Sequence, residues 1–103
     1  MTIVSWVETY FCAAHRDEQD NIHGHTWRVR VYVPFKGHDA VMLKAALEQA
    51  CKEMDHKVLR PQLAWAEDLA LSFALSFVDK SNVQPCRVDV WRDPEGMGAT
   101  WTA

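Results

Sequence analysis

The chain has little of what usually classifies a small protein at sight. Its 103 residues hold only three cysteines, Cys12, Cys51 and Cys86. They are odd in number, far apart and without a C-x-x-C pair, which argues against a disulfide framework or a cysteine-built zinc knuckle. They are read as reduced thiols of a cytoplasmic protein. Glycine and proline are equally sparse, four of each, and no linker, repeat or low-complexity tract is visible. There is no excess of positive charge. Eleven Lys and Arg stand against fourteen Asp and Glu, a net charge of -3, and without a basic stripe nucleic acid is not an expected partner. No apolar run approaches membrane-spanning length. The N-terminus lacks a basic region and Glu8 interrupts its apolar run, so neither a signal peptide nor a membrane association is expected.

Against these absences, hydrophobic residues make up 49% and charged residues 24%. That balance suits one compact domain over 1–103 with a real core. A domain this small buries a modest share of its surface, so a metal or a subunit partner would help it. Met1 to Phe11 is apolar on both parities and suits a strand covered on both faces. Thr26 to Val33 alternates: Trp27, Val29, Val31 and Val33 point one way, Arg28, Arg30 and Tyr32 the other. Pro34 and Gly37 end that strand. Asp39 can cap a helix, followed by Leu43, Leu47, Ala50 and Met54 at helical spacing. Arg60-Pro61 breaks the chain. A second helix is expected from about Trp65 to Asp79, with Leu69, Phe73 and Phe77 along one face. A strand from Cys86 to Trp91, a turn at "DPEGMG" and a short last strand at "ATWTA" complete the order β-β-α-α-β-β. This is an α+β arrangement, an antiparallel sheet with two helices on one face. Its edges stay open, and Trp6, Trp27, Trp91 and Trp101 are a heavy aromatic load, so pairing between subunits is expected to close it.

Three of the five histidines gather around one acidic loop. Residues two apart on a strand face the same way, so His23 and His25 converge, with Gly24 keeping the space between them open. If the first two strands pair as a hairpin, His15 lies opposite. An H-x-H alone is more often a surface pair. A third imidazole across the hairpin makes a metal site the better reading, and three neutral ligands with a vacant position describe a catalytic zinc rather than a structural one.

The motifs carry a resemblance. "F-x-A-A-H" (Phe11, Ala13, Ala14, His15) followed by His23-Gly24-His25 resembles the 6-pyruvoyl-tetrahydropterin synthase family, which includes the 6-carboxy-tetrahydropterin synthases of queuosine biosynthesis. Asp39, Leu43 and Lys44 match its D-F-x-x-L-K segment, with Ala40 in place of Phe. Met54-Asp55-His56-Lys57 matches its L-D-H-K, Glu67 with Leu69-Ala70 its T-x-E-N-L-A, and Val88-x-Val90 the strand before its pterin anchor. The resemblance implies a T-fold closed into barrels by oligomerisation, a hexamer or another barrel assembly. It also implies one zinc per chain on His15, His23 and His25, a proton relay at Asp55 and His56, and a dihydropterin-type substrate.

Three departures qualify it. The family's loop cysteine before H-G-H is absent; the loop here is "RDEQDNI", with Asp17, Glu18 and Asp20. Glu18 is the best placed of these to move a proton, against the plainer reading of a solvated acidic loop. Cys12 has opposite parity to His15, points to the other face, and is read as a small buried apolar residue. The family's pterin-anchoring glutamate falls on Arg92, which only donates. Its T-x-E threonine is Trp65, and Asp93 or Glu95 would have to supply the carboxylate. The expected substrate contacts are therefore Glu67, Arg92 and Glu95, and turnover of dihydroneopterin triphosphate is expected to be weak or absent. The first reading is a zinc-dependent lyase of the tetrahydropterin synthase type. The alternatives are a metal-binding homologue that serves as a binding or assembly subunit, and an enzyme that cleaves a dihydroneopterin side chain by retro-aldol chemistry with Glu18 as base.

Overall fold

Two thirteen-residue strands, β1 (Val4–Arg16) and β2 (Ile22–Pro34), form one antiparallel ribbon without a break in register, from Val4 opposite Pro34 to Arg16 opposite Ile22. Then follow α1 (Ala40–Lys52), β3 (Lys57–Val58), α2 (Ala66–Ser81), β4 (Arg87–Arg92) and β5 (Met97–Thr102). This computed structural model describes residues 3–16, 19–34, 36–59 and 66–103. The sheet order is β3-β1-β2-β4-β5, antiparallel throughout except for β3, which runs parallel to β1 opposite Ala13 and Ala14. The expected β-β-α-α-β-β order stands, with β3 added. Two residues are too few to leave a periodic pattern, so β3 was invisible in the sequence.

Both helices cover one face. Val29, Val31, Val33, Val88 and Val90 of the sheet meet Leu43, Leu47, Leu69, Phe73 and Phe77 of the helices, all 1% exposed or less. The opposite, outer face carries a polar network instead. Glu8 takes two hydrogen-bonding contacts from Arg30, at 2.5 and 2.7 Å, and Asp89 accepts from Tyr32 Oη (3.0 Å), Arg87 Nε (2.9 Å) and Thr100 Oγ1 (2.7 Å). The expectation that the first strand is covered on both faces is therefore corrected. Trp6 and Tyr10 are 52% and 62% exposed, because among the described residues no element packs on the outer face. The guanidinium of Arg30 lies 4.1 Å over the Trp6 ring, which partly shields it.

Some matched motif residues turn out to build the fold. Asp39 caps α1, its Oδ1 accepting the Val41 N–H at 2.8 Å. Leu43 is buried and Lys44 donates to the Glu8 carbonyl. The D-x-x-x-L-K match is thus a helix start pinned to β1. The three cysteines are free thiols, and among the described residues no helix is long and apolar enough to cross a membrane.

Candidate metal centre

Both strands of the ribbon run further than expected, and the three histidines lie within them near the hairpin end. His15 stands opposite His23 in register, and His25 opposite Ala13. All three share the parity of Trp27, so they sit on the helix-side face just beyond the core. Trp27 floors the group. It is 2% exposed, meets His15 and His25 edge-on at 6.2 and 5.9 Å, and stacks on Phe11. Its buried indole N–H has no hydrogen-bond partner among the described residues.

His15 and His25 point their Nε2 atoms at each other across 2.9 Å, with ring centroids 4.9 Å apart. Behind His25, Glu95 Oε1 lies 3.2 Å from Nδ1. A carboxylate on one ring nitrogen fixes the tautomer that leaves a lone pair on the other, the arrangement metal-ligating histidines use. Burial, then the neighbouring Arg92 cation, lower the pKa of His25 against the opposing pull of Glu95. Its neutral form, the only form that can ligate, is thereby favoured.

Arg92 is the second occupant of this face. Its Nη1 lies 2.8 Å from His25 Nε2 and its Nη2 donates to Met97 Sδ at 2.9 Å, while the guanidinium sits 5.2 Å over Trp27. A guanidinium only donates, so Arg92 occupies the lone pair that a metal would need.

The fit to zinc can be judged on these distances. Imidazoles on one tetrahedral zinc have ring centroids about 5 Å apart and ligating nitrogens about 3.3 Å apart. His15 and His25 are close to that. The His23 ring is farther out, at 6.3 Å from His15 and 6.4 Å from His25. As they stand, no three His, Cys, Asp or Glu side chains among the described residues form a metal-holding group. The donor chemistry fits a zinc ion, and two of the three rings are in place. Completion requires His23 to swing inward and Arg92 to leave His25.

The other expected site residues lie elsewhere. Glu67 is exposed on the first turn of α2. Asp93 is held by Arg28 Nε and by Trp91 Nε1 at 2.6 Å. Glu18, Asp17 and Trp65 fall outside the described residues. Asp55 and His56 lie beside the outer edge of β1, with His56 Nδ1 3.0 Å from Asp55 Oδ2 and Asp55 Oδ1 accepting the Cys12 N–H at 2.9 Å. Those bonds hold the Asp55 carboxyl below the usual range, the one from Cys12 most, with burial opposing. The Asp55 carboxylate at Nδ1 orients the His56 ring.

Two readings of small residues change. Gly24 has the parity of Thr26, so a side chain there would leave on the outer face, where nothing among the described residues lies within 4 Å. It does not separate the two neighbouring imidazoles on their own face. Cys12 does point away from the histidines, as its parity requires, but it is not buried. It is half-exposed beside a cavity of about 450 Å³ at the hairpin end, which Gly24, His25, Thr26, His56 and Lys57 also line. The sequence signal that could have found this was the pairing of Cys12 with Thr26; the return of the chain at Asp55-His56 was out of its reach.

Comparison with known proteins agrees with this architecture. The fold is similar to 6-pyruvoyl tetrahydropterin synthase of Caenorhabditis elegans, with a TM-score of 0.77 at 18% identity, covering 100% of this chain and 96% of that one. It is also similar to the Plasmodium falciparum 6-pyruvoyl tetrahydropterin synthase, with a TM-score of 0.73 at 12% identity and 99% of each chain covered. A sequence search among curated proteins finds no match. The family model described as 6-pyruvoyl tetrahydropterin synthase matches residues 5–102. The chain therefore belongs to the 6-pyruvoyl tetrahydropterin synthase family.

Proposed function

We propose that this chain is a zinc-dependent lyase of the tetrahydropterin synthase type, acting on a dihydropterin-like substrate. The observation that carries the reading is the meeting of His15 and His25 through their Nε2 atoms, with Glu95 on Nδ1 behind. His15, His23 and His25 would hold one zinc per chain. When bound, it would polarise a substrate oxygen and acidify the neighbouring C–H. The remaining work falls to side chains of the protein. Glu95 holds the His25 tautomer. Asp55 holds His56 Nδ1–H, so that His56 Nε2 can accept a proton. Arg92, displaced from His25, faces the substrate and favours an acceptor-rich edge over the N–H edge that a family glutamate would bind.

The histidines and the Asp55-His56 pair lie on different sides of the ribbon in one chain. That supports a homo-oligomer, a hexamer or another barrel, in which a site draws on more than one copy. A binding or assembly subunit is the second reading, and the contact of Arg92 with His25 Nε2 favours it. The test combines elemental analysis of the purified chain with turnover of dihydroneopterin triphosphate. About one zinc per chain and measurable release of triphosphate support the lyase. Zinc without turnover, with a pterin still bound, supports the subunit reading.

A further inference from the structure

Arg92 stands apart from the other arginines. Among the described residues, Arg16, Arg28, Arg30 and Arg87 each lie within ion-pairing distance of a carboxylate. Arg92 has no carboxylate partner among them. The acidic side chains of its own turn are engaged elsewhere, Asp93 with Arg28 and Trp91, Glu95 with His25 Nδ1 at 3.2 Å. The guanidinium is left with two uncharged acceptors, His25 Nε2 at 2.8 Å and Met97 Sδ at 2.9 Å, above the Trp27 ring. The β4–β5 hairpin sets this arrangement, because Arg92 and Met97 are register partners in it. A planar fork of N–H donors suits the paired oxygens of an oxyanion, and a charge-assisted pair is about twice as strong as a hydrogen bond between neutral groups.

We propose that Arg92 is a latch on the metal centre that opens to an oxyanion: a carboxylate or phosphoryl group of the ligand draws the guanidinium off His25 Nε2, and anion and metal then bind cooperatively. The proposal rests on the zinc-dependent lyase reading and deepens it by naming an anionic ligand. In the closed state the guanidinium occupies the ring nitrogen of His25 that Glu95 leaves for a ligand. Opening exchanges the imidazole and thioether acceptors for a charged one and frees the Nε2 lone pair. The anion also offsets the repulsion between the guanidinium and a cation bound so close to it. No proton has to move, because the guanidinium stays charged throughout. The coupling is reciprocal: whatever factor the anion adds to metal affinity, the metal adds to anion affinity.

The experiment titrates zinc into the full chain against a chromogenic chelator at constant ionic strength. Three additions are compared: benzoate, its uncharged isostere benzamide, and sulfate as a tetrahedral stand-in for a phosphoryl group. Benzoate or sulfate at saturation should tighten zinc about tenfold, and benzamide should not. A gain with benzoate alone assigns a carboxylate ligand, and a gain with sulfate alone a phosphoryl one. In Arg92→Met, zinc should already bind at the tighter level, and neither anion should add to it. Calorimetry supplies the reverse arm, in which zinc should tighten the active anion by the same factor in the wild type only. Absence of an anion effect in the wild type overturns the proposal, whatever the variant does. An equal gain in wild type and Arg92→Met also overturns it, because the anion would then sit on the metal. Coupling in a chain that never turns over dihydroneopterin triphosphate leaves the latch standing and removes the lyase reading; turnover without coupling does the opposite.

Discussion

The two faces of the β1–β2 ribbon at its hairpin end make an instructive pair. One carries His15, His23 and His25 over Trp27, with Arg92 and Glu95 brought back by the β4–β5 turn. The other carries Cys12, Ala14, Gly24 and Thr26, walled by His56 and Lys57. They are separated by the thickness of a single sheet, and His25 borders both. On the first face, His15 and His25 are half-buried and crowded by Arg92, and His23 is exposed. On the second, a cavity stands open and His56 is 80% exposed. The pleat causes the division, because neighbouring residues on a strand cannot face the same way. On the proposed reading, metal affinity and proton transfer are expected to vary independently, one residue apart.

That independence is open to attack, most severely through the metal. His15→Ala or His25→Ala should abolish stoichiometric zinc, while Cys12→Ser and His56→Gln should retain it in full. Elemental analysis after dialysis decides, and zinc loss in the Cys12 or His56 variants would mean that the faces are coupled. Next comes Arg92. With its guanidinium removed in Arg92→Met, His25 Nε2 is released and a like charge leaves the site. Zinc should then bind about tenfold more tightly, roughly 1.4 kcal/mol, in competition with a chromogenic chelator. Unchanged affinity would show that Arg92 withdraws freely.

A smaller effect is expected from the outer-face network. Burial pushes the Asp89 carboxyl up, but hydrogen bonds from Arg87, Thr100 and Tyr32 outweigh it and hold the group below its usual range. Its stabilisation is thus complete above the unfolded value of about 4 and disappears as pH falls through the lower folded value. Asp89→Asn should cost about 1–3 kcal/mol near neutrality. Denaturation curves of the two proteins should converge below about pH 3, and zinc content should not differ. A parallel gap at every pH would contradict the assignment. Asp39→Ala, at a helix cap on neither face, should cost about 1 kcal/mol and leave zinc content unchanged.

What the sequence could reveal follows the range of each signal. The histidine set was legible because it depends on two local rules, the period of two and hairpin pairing. The core stripes of α1 and α2 were legible for the same reason. The lengths of β1 and β2 were not, because "HRDEQDNIHGH" is polar and the hairpin end projects past the core, where polar residues can hold strand geometry at no desolvation cost. Arg92 and Glu95 were expected to contact substrate, and the turn sets both against His25, a placement that depends on the β4–β2 register. The parity of Cys12 was read correctly and its surroundings were not. The Asp55-His56 segment reaches it through β3, a contact 43 residues away in sequence.

His56 also has a left-handed backbone, with φ of 58°. Glycine or asparagine adopts that conformation far more readily, and a histidine held there costs about 1–3 kcal/mol. The side chain is mostly solvent-exposed and fills no core space to offset that cost. A library randomised at position 56 should therefore diverge according to the selection applied. Screening for heat resistance alone should drive histidine out, and screening for turnover should keep it. The identity recovered at this one position would show whether evolution has been preserving a shape or a reaction.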